Sequence, residues 1–339
     1  MAKISTMTPD EMASKITPEL LEESCQQFQQ ELIQMPIVTM RESGTAQYIT
    51  IVPGVRNQLT WGELDGDAQL APWSESNEAD DNSKIVGRTL VVYPGNCAKN
   101  FNPMPYFHSI YGQSIALGQA MTANTIARKV ATMLSAKIGQ HLDRDAIWFG
   151  KRDPKGKTTK DLFDGFDTII LAGITSGDVS VEKGNLLEVA AINETNAVET
   201  LKKIWRATDA SIKANGAFMY LPPEIYDFYV DDYQIRHGNV PYNTSFDKDT
   251  LEGSRGKCKF AVLDNMAGSN LIKVTKKENF LLGTDINAQE NQVNIAKYKS
   301  WKLTFEYAGV YGAQVRTFSK EAFMAARVAK AAADAGTGK

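Results

Sequence analysis

One segment limits the possible folds more than any other. From Thr122 to Trp148, the positions Ile126, Val130, Leu134, Ile138 and Leu142 are apolar at every fourth residue. That spacing is helical. Four residues overshoot a 3.6-residue turn, so the buried stripe curves across the helix surface. At ~1.5 Å per residue the helix would be about 40 Å long, whereas a globular helix averages ~11–12 residues. Such a helix acts as a spine, and the rest of the fold has to be laid along it. Gly150 suits its end.

The second half of the chain reads as a mixed α/β core. Asn196, with Glu199 three residues later, resembles a capping box, and it opens a helix expected to reach about Ala214. Val198, Leu201, Ile204, Trp205 and Ile212 trace its apolar face. Gly216 leads directly into the apolar strand Ala217–Leu221, and Pro222-Pro223-Glu224 starts a further helix carrying Ile225, Phe228, Tyr229 and Tyr233. Asp231 and Asp232 read as a solvated helix end. Short strands follow at Lys259–Leu263 and Phe280–Asp285, separated from the helix by a polar loop over 238–256. From Trp301 to Glu306 apolar and polar residues alternate as in a strand. The strand character continues from Val310 to Phe318, and a last helix is expected from Glu321 to about Asp334.

The first hundred residues look different. Thr17 and Pro18 start an amphipathic helix whose apolar side holds Leu20, Leu21, Phe28, Leu32 and Met35, with Pro36 as its expected end. It packs either on its own domain or, as an arm, on a neighbouring subunit. Strands are expected at Tyr48–Val52 and Arg88–Tyr93, the second closed by Pro94-Gly95. More than thirty residues rich in turn formers and acids lie between them. A loop of that length is functional or mobile, and a two-stranded hairpin is marginal alone in water, so it needs a surface to lie on. Trp61 and Trp73 are either anchors on that surface or residues folded back on their own domain. The stretch after the spine holds a charged loop over 151–160 and the apolar run Thr168–Leu171, which reads as a strand.

Chemistry is hard to find. There is no phosphate-binding glycine loop, no nucleophile elbow and no HExxH helix. His108, His141 and His237 are isolated in sequence, and Asp65-Gly66-Asp67 lacks the later ligands of a calcium loop. Asp143 and Asp145 point to different helix faces. Cys25, Cys97 and Cys258 are widely spaced and read as free thiols, with no metal expected. Neither a cofactor nor a catalytic residue is assigned, and the chain is read as a non-enzyme. Charged residues are 23% of the chain and the net charge is −3, so bulk charge makes no case for nucleic-acid recognition. The start Met-Ala-Lys-Ile-Ser-Thr lacks the apolar core of a signal peptide. No apolar run reaches 18 residues, so no membrane span is expected.

Taken in order, the helix containing Trp205, the Ala217–Leu221 strand, Pro222-Pro223-Glu224, the Gly256–Leu263 strand, Phe280–Asp285 and the strands from Tyr298 to Phe318 resemble the major capsid proteins of tailed bacteriophages. These have the Hong Kong 97-like coat fold. The resemblance is in the order of elements and covers most of the chain. It implies an α+β fold with an N-terminal arm (1–42), an extended β-hairpin loop (43–104), a peripheral domain with the spine helix (105–189), an axial domain (190–294) and a return to the peripheral domain (295–339). It also implies a virion protein, assembled in the host cytoplasm, whose pentamers and hexamers close an icosahedral head around double-stranded DNA contacted nonspecifically. Portal, scaffold, protease or decoration proteins would be its partners. Phe28, Tyr48, Trp61, Trp73 and Arg88 are then the candidate intersubunit contacts. An encapsulin-like compartment shell is the alternative, and an enzyme with an unrecognised carboxylate site is a more distant one.

Overall fold

The computed structural model describes residues 31–65, 84–102, 123–237, 249–285, 293–299 and 302–329. Its elements form two five-stranded sheets, a separate hairpin and helices packed around them. The first helix, α1, is described over 31–42 and runs straight through Pro36 rather than ending there. Leu32, Ile33, Ile37 and Met40, on both sides of the proline, are buried and hold the helix together despite the hydrogen bond a proline removes. A one-turn helix α2 (Thr45–Tyr48) follows. The expected strand therefore begins later, as β1 (Thr50–Pro53).

The spine is present as α3 (Ala123–His141), continued by a π-helical turn, Leu142–Ala146. Its most buried stripe is made of small residues. Ala131 and Ser135 are sealed from solvent, whereas Leu134 and Ile138 flank them only partly buried. Gly139 explains why: a Cβ there would lie 2.7 Å from Pro36 Cα and 2.9 Å from the Pro36 carbonyl oxygen. The two helices thus touch backbone to backbone, and small residues are what permit it. The π turn, with Ile147 N donating to Leu142 O at 3.1 Å, swings Asp143 inward. Asn265 Nδ2 there donates to Asp143 Oδ1 (2.9 Å) and Thr45 Oγ1 (3.0 Å), and Trp148 Nε1 donates to Asn265 Oδ1 (3.0 Å). Burial raises the Asp143 pKa, and the hydrogen bonds from Ser43, Thr45 and Asn265 oppose the rise.

The run Thr168–Leu171, expected as a strand, belongs to helix α4 (Phe166–Ser176). Its first N–H groups are satisfied by the carbonyls that end the spine: Phe166 N donates to Ile147 O (2.9 Å) and Asp167 N to Trp148 O (3.0 Å). The negative end of one helix meets the positive end of the next. Gly165 allows the approach, because a Cβ there would fall 2.5 Å from Trp148 O.

One sheet contains β5 (Leu186–Val189), β6 (Ala217–Leu221), β7 (Cys258–Val262), β8 (Leu271–Thr275) and β12 (Phe323–Val328), in the order β5-β12-β8-β6-β7. β12 stands where the described part of the expected C-terminal helix would run; the rest of that helix, from 330, lies outside the described residues. It is wedged between β5 (parallel) and β8 (antiparallel), so sheet pairing on both sides overrides the helical propensity of its alanines. Period-2 alternation divides the sheet's side chains between two cores. Met219, Leu221, Ile272, Val274, Met324 and Ala326 face α5 (Ala197–Ala207), α6 (Ala210–Asn215) and α7 (Pro223–His237). Tyr220, Leu271, Phe323 and Ala325 face Trp148, Phe166 and Phe280. The sheet is therefore a wall shared by two cores.

The expected single helix from Asn196 to Ala214 is two helices, broken at Thr208, with Asp209 Oδ1 accepting from Ser211 N (2.8 Å) to start the second. Asn196 makes no side-chain cap to its own helix; Asp232 Oδ2, from α7, accepts from Val198 N at 2.7 Å instead. Asp232 is accordingly buried rather than solvated, and Arg236 Nε donates to its other oxygen at 2.6 Å.

The second sheet is built on the long strand β11 (Lys302–Val315), which pairs with β4 (Tyr93–Phe101), β9 (Phe280–Thr284) and β10 (Val293–Lys299); β1 adds to β9 in parallel. β11 stops at Val315, short of the expected Phe318. Pro94-Gly95 does not close a strand but lies inside β4, paired opposite Val310 and Gly309. Among the described residues β4 pairs only with β11, and a proline is tolerated on such an edge.

Candidate functional site

Strands β2 (Gln58–Asp65) and β3 (Lys84–Val91) form an antiparallel hairpin that pairs with no third strand among the described residues. Threonines and valines give it β propensity, and Thr60 and Thr89 share a cross-strand hydroxyl contact of 3.0 Å. Among the described residues, the contacts that fasten the hairpin to the body lie near its base. There Val55, Leu90 and Val92 form a small core of their own, with Trp61 and Val310 packed against it. Gln314 Nε2 donates to Thr89 O at 2.8 Å. Gly312 of β11 comes so close that a Cβ would lie 2.2 Å from Val91 O. Beyond this base the ladder continues outward to the Asp65–Lys84 pair.

The candidate contact residues divide as follows. Trp61 and Arg88 are brought directly opposite each other in the hairpin register. Trp61 is half-buried on the base core, and the Arg88 guanidinium stacks 3.9 Å over the Phe318 ring. Burial lowers the Arg88 pKa, while Asp178 works to raise it. Tyr48 packs on the other sheet, against β6. Its carbonyl accepts from Tyr220 Oη at 2.6 Å, and its ring meets Phe218 edge-on at 5.3 Å. Phe28 and Trp73 lie outside the described residues, as do Cys25 and His108. A groove of about 470 Å³ runs between α4 and the hairpin base, lined by Arg88, Arg152, Ile169, Gly173, Asp178 and Gln314.

Groups with catalytic potential are sparse. No cluster of three or more His, Cys, Asp or Glu able to hold a metal occurs among the described residues. His141 pairs with Asp145 (3.0 Å) and His237 with Glu252 (3.5 Å), so these histidines, isolated in sequence, meet acids in space, of which the sequence had singled out Asp145 but not Glu252. The sequence also gave no signal for an ionic cluster on β8. Lys273 contacts Asp167, Ser269 Oγ donates to Asp167 Oδ2 at 2.5 Å, and the Lys273 ammonium lies 4.9 Å over the Trp148 ring. Lys273 is fully sealed from solvent, so this cluster ties α4 to the sheet and offers nothing to a substrate. No helix among the described residues is long and apolar enough to cross a membrane.

No family model matches the chain, and no curated protein is similar to it in sequence. Solved structures are similar in fold. A chain of the satellite phage P4 procapsid that includes the size determination (Sid) protein superposes with a TM-score of 0.57 at 10% identity, covering 88% of this chain and 91% of that one. A capsid chain of an empty GTA particle gives 0.51 at 12% identity, covering 86% and 90%. A chain from Mycobacterium phage Bobi gives 0.50 at 12% identity, covering 85% and 90%. The mixed helix and sheet architecture described above is thus a phage capsid fold.

Proposed function

We propose that the chain is a major capsid protein, the subunit of an icosahedral shell that encloses double-stranded phage DNA. The observation that carries this reading is the β2–β3 hairpin, a two-stranded sheet that pairs with no third strand and meets the body near its base among the described residues. A free hairpin of this kind is marginal in water and gains stability by lying on another surface. In a closed shell that surface is a neighbouring subunit. Many modest contacts per subunit then add up through multivalency. The capsid fold of the P4 and GTA chains supports the same reading.

On this reading the chain divides in the Hong Kong 97-like manner. The arm is 1–42, the extended loop 43–104 and the peripheral domain 105–189, with 295–339 returning to it. The axial domain is 190–294, a reading supported by the core that α5, α6 and α7 form on the shared sheet, to which β12 of the returning segment also contributes Met324 and Ala326. Pentamers and hexamers would assemble in the host cytoplasm, with portal, scaffold, protease or decoration proteins as partners. Trp61 and Arg88, at the foot of the hairpin, would set its angle to the body; Phe28, Tyr48 and Trp73 complete the proposed intersubunit contacts. The test is negative-stain microscopy of the expressed protein, with nuclease protection of copurified DNA. Uniform shells, rings of five or six, or sheets are expected. A population of small globular particles under all assembly conditions would overturn the proposal, and shells that protect no DNA would favour a cargo compartment.

A further inference from the structure

A cleft of about 580 Å³ opens where the turn between α6 and β6 meets the start of β7 and the turn after β8. Lys257, Lys259, Lys276 and Lys277 line it, and Glu278 is its only acid. None of the four lysines makes an ion pair with a described residue, although Lys183, Lys202 and Lys273 elsewhere each have a carboxylate partner. Lys257 is held in place, with its ammonium donating to Ala214 O at 2.8 Å; Lys259 and Lys276 project freely into solvent. The chain arrives through Arg255 and Gly256, both in the left-handed region (φ 57° and 71°), so the backbone turn sets the angle at which Lys257 and Lys259 enter the cleft. The protein as a whole is slightly acidic, with net charge −3. Four ammonium groups against the one acid, Glu278, among the described lining residues leave an excess of positive charge around one concavity and focus a positive potential there. A row of phosphates would neutralise them.

We propose that this cleft binds the phosphates of a nucleic-acid backbone, and that it marks the surface of the subunit turned toward packaged DNA. The inference deepens the shell reading and rests on it for the identity of the polyanion. The cleft offers lysine point charges rather than the flat guanidinium forks that read base edges, so contact is to backbone and independent of sequence.

The test uses the full-length chain and a fluorescein-labelled duplex DNA of arbitrary sequence, with affinity followed against salt concentration. Each phosphate neutralised contributes a slope of about −0.9 to log K against log salt. K259E/K276E is expected to weaken duplex binding at least tenfold and to make the slope shallower by about 2. K155E/K157E makes the same net charge change in the exposed 151–160 loop and is expected to leave the slope unchanged. Unchanged binding in K259E/K276E, or an equal loss in both variants, would overturn the proposal. Inorganic phosphate is the second probe. If it competes with the duplex at equal phosphate concentration, the cleft is a small-anion site and the backbone reading fails. Micrographs of K259E/K276E keep the two readings apart. Shells that form normally while DNA binding falls support the cleft. A parent protein that forms no shells sinks the shell reading and leaves the DNA result to stand by its own measurement.

Discussion

Removing the carboxylate of Asp167 is the most informative perturbation the structure offers. Lys273 sits in the middle of the shared sheet with none of its surface exposed, and Asp167 is its carboxylate partner among the described residues. In Asp167→Ala the ammonium keeps only the Ser269 hydroxyl at 3.4 Å and the face of Trp148. Breaking one side of a buried pair costs about 3–5 kcal/mol, whereas replacing both members with apolar groups of similar size is often neutral or stabilising by about 1–4 kcal/mol. Asp167→Leu/Lys273→Met should therefore be far more stable than the two single variants added together. Urea unfolding of the unassembled subunit, followed by tryptophan fluorescence, measures this as a double-mutant cycle. The pH dependence has a definite sign. Desolvation lowers the Lys273 pKa from its ordinary 10.5 in the folded state, and Asp167 works against that shift. Between the folded and ordinary values the unfolded chain binds the extra proton, so stability rises with pH. Without Asp167 the folded value drops further and the window widens. The deficit of Asp167→Ala should shrink as pH climbs from neutral toward alkaline, and the double variant should lose that slope. If the two single losses simply add in the double variant, or if Asp167→Ala is as destabilised at alkaline pH as at neutral, the ionic account is wrong.

Three further outcomes follow from particular contacts. Gly139→Ala puts a Cβ against the Pro36 backbone, so α1 has to lift; a cost of about 1–3 kcal/mol and faster proteolytic cleavage within 31–42 are expected, and an unchanged cleavage rate would count against the contact. Asp232→Ala leaves Val198 N–H without its cap and frees Arg236, costing about 0.5–2 kcal/mol in thermal unfolding, with Asp232→Asn retaining most of the cap. Burial pushes the Cys258 thiol up to about 12, so native-state alkylation mapped by mass spectrometry should spare it at neutral pH and modify it only on unfolding.

Punctuation made part of the fold legible. Gly216 and Pro222-Pro223 bracket β6 in the sequence, and β6 runs from Ala217 to Leu221 as expected. The spine was legible from its apolar period, but its contact surface was not, because Ala131, Ser135 and Gly139 matter through what they leave out. Short apolar runs failed where the environment decided. Thr168–Leu171 is helical because the end of the spine supplies acceptors for its N-terminus, and Phe323–Val328 is a strand because β5 and β8 hold it on either side. Each reading would have needed partners distant in sequence. The same holds for Lys273 and Asp167, and for Asp232 reaching back to Val198. Of the candidate contacts, the Trp61–Arg88 pairing depends on hairpin register, which the loop between them hides.

The placement of the shared sheet bears on how such a subunit would carry load. Tyr220 on one face of β6 packs on Phe280 at 4.9 Å and donates to Tyr48 O, while Met219 and Leu221 on the other face belong to the core of α5 and α7. A force applied through α1 reaches the sheet by two short routes, the Pro36–Gly139 contact to the spine and the Tyr48–Tyr220 hydrogen bond. The hairpin meets the body elsewhere, through Gln314 and Gly312 of β11. The chain leaving α2 touches both sheets, β6 through Tyr48 and β9 through β1, whereas the hairpin meets only the β11 sheet in the contacts named here. Rigid cores pass displacement on rather than absorb it, and none of the hairpin contacts named here reaches the core around α5 and α7. On the proposed shell reading, that separation between the hairpin and the core around α5 and α7 is what would let one subunit fit both five-fold and six-fold surroundings.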